Sequence, residues 1–480
     1  LEIHGQFAIQ LSKNGYNAPV KSTQTPRVSN PIRFFNLNRK IAAMSLLVWA
    51  LLAFVPGDVW PGFLGIGATA PNEQSVAVEW SPSKGVVWQS PIVGHGQSSP
   101  VIWNERIFVS TVDGPKKDNC IVVAYSLQDG KEQWAYSIES SDPVENSVYV
   151  SRAAPTPVVD ESRLIVFFES GDIVSLSHDG KEQWKRSISK DIGKFKNKFG
   201  IGSSLIQNKD HVFILIDDEG PSYLVALDKK TGNTVWKKDR KEKVSWSSPG
   251  FVRAGDKNHI VVSSAGAIDG YDETSGELLW TYTDVGGNTA TTPFDLGNGR
   301  FFVAASAGRE GENTELAKKS NMLMQIEKTA TGWQAKPKWL TDEATPSWAS
   351  PIQHAGCAYW VNRVGVVYCI DMESGKLHYK QRTKQSCWAT PVGIGDRVYF
   401  FGKEGITTVL AAGPEFKILA ENVLWEPDSI KPPENAGATE STEERRRAAA
   451  MFSGPTVYGV AIADGNIILR IGERLFCVRK

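Results

Sequence analysis

Apolar residues along this chain come in short runs, and each run is closed by a polar turn and then an aromatic. "SYLVALDKKTGNTVW" (residues 222–236) is one such stretch; "GAIDGYDETSGELLW" (266–280), "DIVSLSHDGKEQW" (172–184) and "IVVAYSLQDGKEQW" (121–134) repeat it. In the first, the apolar run predicts a strand. The Asp228 carboxylate opens the turn, and Gly232 supplies the positive φ that a tight turn needs. "NTVW" predicts a second strand that ends in an aromatic wedge. Burial of one such ring is worth at most roughly 4–6 kcal/mol on area grounds.

Aligned on that aromatic, the chain repeats at Trp88, Trp134, Trp184, Trp236, Trp280, Trp339, Tyr379 and Trp425, with gaps of 40 to 59 residues. A period in that range, with strand and turn signals and no helical periodicity, indicates a β-propeller. Four strands and their turns fill about 45 residues. The eight aromatics therefore predict an all-β, eight-bladed propeller of four-stranded antiparallel blades over residues 80–480. The position six before the turn glycine is small at Ala124, Ala226, Gly270 and Cys369, and Cys477 falls in the matching place, which reads as a tight core slot.

A second phrase marks the inner strand: "QSSP" (97–100), "APTP" (154–157), "WSSP" (246–249), "ATTP" (290–293), "WASP" (348–351), "WATP" (388–391) and "FSGP" (452–455). Small residues suit the place where blades converge, and proline is tolerated at a strand's start. The third blade departs, with "IGSS" at 201–204 and no proline. The last repeat stops without an outer strand, while "GVVW" (85–88) is an outer strand without a hairpin. Their pairing is expected to close the ring and remove exposed edges.

The N-terminal part has a different pattern. Arg39 and Lys40 precede an apolar run over residues 41–55, too short for an ordinary membrane span. Residues 1–40 read as an extension, 41–70 as a signal peptide or signal-anchor and 71–79 as a linker, with small residues suited to cleavage at 68–70. Trp60, outside the repeat, is expected to contribute almost nothing to stability. No cysteine precedes Cys120, so a bacterial lipoprotein anchor is not expected. The reading is of an exported, periplasmic or envelope protein, in contact with a membrane only through 41–55 if that segment is kept.

Composition narrows the function. The 53 basic and 53 acidic residues balance, so no field of one sign draws the chain to nucleic acid. Five scattered cysteines do not make a disulfide scaffold, and the seven histidines form no metal spacing. Cys357 and Cys369 flank a probable hairpin, "AYWVNRVGVVY", and are expected opposite each other as free thiols.

The A-x-D-x-x-[TS]-G-x-x-x-W phrase, preceded by the Ser-Pro strands, resembles the pyrroloquinoline-quinone-like (PQQ-like) repeat. The propeller of that repeat family is shared by quinoprotein alcohol dehydrogenases and by the outer-membrane assembly protein BamB. The resemblance covers about residues 80 to 480 and implies the fold more firmly than the function. The dehydrogenases carry a vicinal disulfide, a calcium site of Glu, Asn and Asp, and a catalytic Asp. This chain has no adjacent cysteines and no motif onto which those ligands map. The resemblance is therefore closest to the non-catalytic BamB-like members, with no cofactor expected; quinone and calcium belong to the alternative reading. That alternative is a quinone-dependent alcohol dehydrogenase; another is a carbohydrate- or small-ligand-binding propeller.

Three long polar insertions, 189–200, 306–321 and 426–450, fall on one face of such a ring and are the expected contact surface for envelope protein partners of a monomeric scaffold. Within the last, "TEERRRAAA" suggests a short helix. Trp246, Trp348 and Trp388 sit three residues before the inner-strand prolines and are expected to ring the channel mouth on that face, either holding a ligand or partner or simply plugging the opening.

Overall fold

Each repeat folds as an antiparallel blade, and eight blades form the ring. The computed structural model describes residues 59–69, 76–308, 311, 314–431, 442–443, 446–447, 449 and 453–480. The apolar segment 41–55 and four of the nine residues of "TEERRRAAA" (444, 445, 448 and 450) lie outside these residues. Among the described residues no helix is long and apolar enough to cross a membrane.

The third blade shows the logic of all. Its strands run from the channel outward as Ile206–Gln207, His211–Ile216, Ser222–Asp228 and Thr234–Arg240. The two middle strands are buried almost throughout because neighbouring blades cover both of their faces. The outer strand, at the rim, keeps most of its side chains in solvent. Blade 5 has three hydrogen-bonded strands, and blade 1 has five. Ring closure is as the sequence predicts: Val86–Pro91 pairs with Arg474–Val478 as the outer strand of blade 8.

The repeated aromatic and the repeated glycine have one explanation. Trp236 lies opposite Ala226 at a bulge in the outer pair. The same bulge sets Trp134 against Ala124, Trp184 against Ser175, Trp280 against Gly270, Tyr379 against Cys369 and Trp88 against Cys477. The small slot is thus the room the ring needs. Each indole then reaches the next blade. Trp184 donates to the Lys229 carbonyl at 2.8 Å, and a Cβ on Gly232, whose φ is +72°, would stand 2.6 Å from the ring. Trp88, Trp134, Trp236 and Trp339 donate in the same way to Leu127, His178, Glu273 and Met372.

Two members depart. Trp280 donates instead to His259 Nδ1 at 3.2 Å, and the turn glycine of blade 5, Gly332, has no ring against its Cβ position. Trp425 is not the wedge of blade 7. The residue opposite Val409 at that bulge is Ala420, and Trp425 lies beyond the outer strand Ile418–Val423, against Gly405 and 5.8 Å from Phe476.

The Ser-Pro phrase also has a physical cause. The Ser99 amide donates to Thr156 Oγ1, Thr156 to Ser204, Ser204 to Ser248, Ser248 to Thr292, Thr292 to Ser350 and Ser350 to Thr390, all at 2.8–3.2 Å. This belt of hydroxyls joins seven blades around the channel. Each hydroxyl satisfies a backbone N–H that the converging inner strands leave without a ladder partner. The third blade keeps its place through Ser204 despite lacking the proline. In blade 8 the equivalent of the hydroxyl residue is Gly454, and the belt is open there.

The packed body extends further toward the N-terminus than residue 80. Val59–Trp60 adds a fifth strand to blade 1 on its channel side. The chain turns at 62–65 and returns beside blade 7, where Gly393 donates to the Ala68 carbonyl at 3.1 Å. On the way the Pro61 carbonyl accepts from Val159 of blade 2 at 3.0 Å. Trp60 is only 2% exposed, in a core shared with blades 1, 7 and 8, so the expectation that it is idle is corrected. A Cβ on Gly65 would lie 2.5 Å from the Trp60 ring, so the turn needs glycine there. At the described end of the supposed linker Val76 and Ala77 are buried, Tyr399 donates to the Ala77 carbonyl at 3.0 Å, and just beyond it Asn422 receives the Trp80 amide at 2.9 Å.

All five cysteines are free and buried. Cys357 pairs with Asp371, and Cys369 with Tyr359, so the two cysteines are offset by two residues rather than opposite.

Candidate functional site

The loops that follow outer strands, and those between second and third strands, open on one face because strand direction alternates along each blade. The described parts of the three long insertions lie on this face, since they follow outer strands or join second to third strands. The mouth of the channel on this face is partly filled from within. Segment 59–69 occupies the channel, and between it and the blades remains a cavity of about 90 Å³ lined by Trp60, Phe63, Leu64, Trp348, Trp388 and Tyr458 among others.

The three tryptophans singled out in the sequence separate here. Trp348 and Trp388 meet edge to face with ring centroids 4.9 Å apart, and Trp348 is 45% exposed. Trp246 is elsewhere. Its indole donates to the Gly200 carbonyl at 3.1 Å and packs against Phe199 at 6.0 Å, so it pins insertion 189–200. The sequence reading missed Tyr458, which continues the aromatic arc 6.4 Å from Trp388 and 6.0 Å from His95. Lys403 sits over the Trp388 ring at 5.0 Å, a cation–π contact that holds the ring in place.

Beyond Tyr458 the arc runs into a second cavity, of about 120 Å³, at the seam between blades 8 and 1. His95, Arg152, Lys431, Glu473 and Arg474 line it. Burial, with Arg152 and Arg470 nearby, lowers His95 to about 4 against the pull of Glu473, so it is neutral at pH 7. Burial also lowers Arg152, partly offset by Tyr458 and Glu473. Under the seam, Arg470 is fully buried, and desolvation brings it down to about 9. The sequence analysis did not reach these residues; the irregularity that could have drawn attention to blade 8 is the phrase "FSGP", which has glycine in place of the hydroxyl residue.

A quinone does not fit this channel. The space beside the tryptophans is taken by the chain's own residues 59–69, and about 90 Å³ holds a few waters rather than a tricyclic tricarboxylate. Among the described residues no three His, Cys, Asp or Glu side chains gather as metal ligands.

Comparison with known proteins follows the same division. The family model described as outer membrane protein assembly factor BamB matches residues 68–198, 220–319 and 322–471. The chain is 21% identical over 215 residues to the outer membrane protein assembly factor BamB of Burkholderia pseudomallei, covering 44% of this chain and 51% of that protein. It is 25% identical over 192 residues to the protein of the same name from Alkalilimnicola ehrlichii, covering 40% and 42%. The chain thus spans about half, or less, of the length of the curated relatives it matches. Among solved structures it is similar to BamB from Moraxella catarrhalis (14% identity, TM-score 0.53, 82% of this chain and 96% of that one). It is also similar to quinohemoprotein alcohol dehydrogenase from Comamonas testosteroni (11%, 0.58, 88% and 81%). These structural likenesses show the shared propeller. With the family match running through most of the ring, the chain belongs to the family described as outer membrane protein assembly factor BamB.

Proposed function

We propose that this propeller is a non-catalytic protein-interaction scaffold of the cell envelope, working through its long-loop face. The observation that carries the reading is where apolar side chains meet water. Val93, Val144, Phe199, Leu316, Trp348 and Val364 are large, exposed and carried by loops of that face, while no large exposed apolar residue sits in the short turns of the opposite face among the described residues. The other large exposed apolar residues lie on the outer strands (Val87, Val235, Leu278, Leu340, Ile418 and Val423) or in segment 59–69 (Ile66), so among the loops and turns of the blades it is the long-loop face that carries them. The plugged channel supports the same reading, since it leaves the quinone of the dehydrogenases no seat. The curated relatives are named as outer membrane assembly factors, which agrees with an envelope location and envelope partners.

Photo-crosslinking tests this. A photoreactive residue at Phe199 or Val364 is expected to give discrete adducts with outer-membrane assembly proteins in envelope preparations. One at Lys230, on the turn face, is expected to give none. Equal labelling from both faces would overturn the assignment.

A further inference from the structure

We infer that the cavity at the seam of blades 8 and 1 binds a carboxylate carried by a partner peptide, with Arg152 as the main donor. This deepens, and rests on, the reading of the long-loop face as the partner surface.

The charges around the cavity do not balance. Among the described residues Arg152, Lys431 and Arg474 line it, against the single carboxylate of Glu473. Glu473 is already engaged, with its Oε1 3.6 Å from His95 Nδ1. Glu169, the other described carboxylate that acts on Arg152, is taken by Lys117 at 3.0 Å and by the Ala153 amide. Beneath the cavity lies Arg470, whose hydrogen bonds go to neutral oxygens: the Ser98 carbonyl and hydroxyl and the Ser110 carbonyl, at 2.6–3.1 Å. A buried cation without a counter-charge is costly, and an anion entering the cavity offsets that cost.

The polar atoms also wait for a partner. Arg152 Nε and His95 Nε2 are buried and hydrogen-bond to none of the described residues. Arg152 is anchored for the task, since its amide donates to the Gln97 side chain and its carbonyl accepts from the Gln97 amide, both at 2.9 Å. With His95 neutral and Nδ1 turned to Glu473, Nε2 offers a lone pair. The pair of sites, a guanidinium donor and an imidazole acceptor, matches a peptide residue that presents a carboxylate close to its own N–H.

Size and charge narrow the class. About 120 Å³ admits a carboxylate and its short stem but not a nucleotide. Glu473 disfavours a phosphate dianion over a singly charged carboxylate. The Tyr458–Trp388 arc offers an apolar surface for the neighbouring peptide residue.

The test uses the tryptophan fluorescence of the whole protein. Three peptides are titrated: acetyl-Ala-Ala-Phe with a free carboxylate, its C-terminal amide, and acetyl-Ala-Glu-Ala amide. A carboxylate-bearing peptide is expected to saturate and the Ala-Ala-Phe amide is not. Binding of the first alone assigns the pocket to chain ends, and binding of the third to acidic side chains. Arg152→Gln is expected to weaken binding at least about tenfold and Arg152→Lys less, because lysine keeps the charge without the planar fork. Circular dichroism checks that both variants are folded. Equal affinity for acid and amide, unchanged binding in a folded Arg152→Gln protein, or no saturation by any peptide would overturn the inference. If peptides bind as expected while the Phe199 crosslinks fail, the pocket stands and the partner-face reading falls. If crosslinks form and no peptide binds, the reverse holds.

Discussion

Blades 1 to 7 and the seam at blade 8 are built from the same repeat but are held in different ways. In the first seven, the inner strands of blades 2 to 7 each offer one hydroxyl that accepts the amide of the preceding blade, and the belt is a chain of short, neutral hydrogen bonds. At blade 8 the belt stops, because Gly454 has no hydroxyl to accept the Thr390 amide of blade 7, and between blades 8 and 1 a buried guanidinium, Arg470, reaches Ser98 and Ser110. Residues 59–69 fill the channel beside the same seam. The difference teaches that the ring is least uniform where its two chain ends meet. There the local repeat no longer satisfies the backbone, and long side chains and a foreign segment take over. Both cavities described above lie at this break.

That contrast can be broken deliberately, and the largest effect is expected in the uniform region. Trp236→Ala should destabilise by about 3–5 kcal/mol, the range of large aromatic truncations in a core. Trp425→Ala, outside the wedge register, should cost about 1 kcal/mol. Urea unfolding midpoints would separate them, and equal losses would contradict the register.

At the seam, Trp60→Ala is expected to cost about 3 kcal/mol because it empties the centre of the channel plug. A melt identical to the parent would mean that segment 59–69 is not seated as described.

The pH dependence sharpens the comparison further. His259, in blade 4, is lowered to about 4 by burial, and its Nδ1 accepts the Trp280 N–H, a bond that protonation removes. Its folded pKa is below the unfolded value of about 6.5, so its contribution is complete above that pH and lost as pH falls toward 4. The loss is about 3 kcal/mol at most. His259→Gln should flatten the stability profile over that window, measured as urea midpoints at pH 7 and pH 4.5.

The smallest effects test the belt itself. Thr156→Val removes the acceptor of the Ser99 amide and should cost about 1–3 kcal/mol. Gly454→Ser, at a position with open space for a Cβ, should shift stability by no more than about 0.5 kcal/mol. A large loss from the second and none from the first would reverse the account of the seam.

Sequence by itself determined the ring: its eight units, the all-β class, the small slot opposite most of the wedges, the turn glycines and the closure by residues 85–88. These features are local and periodic, so each repeat supports the reading of the others. It also placed Trp348 and Trp388 at the mouth. The tertiary structure alone decided the rest. Trp425 falls at a repeat-like spacing, and only strand pairing shows that Ala420 holds the wedge position. Residues 59–69 look like the end of a leader, since nothing local distinguishes a strand that pairs across the channel from an apolar tail. Arg152, Lys431 and Glu473 stand far apart in the chain and carry no spacing signal. They meet because ring closure brings the first and last blades together, a long-range contact that no pattern along the chain encodes.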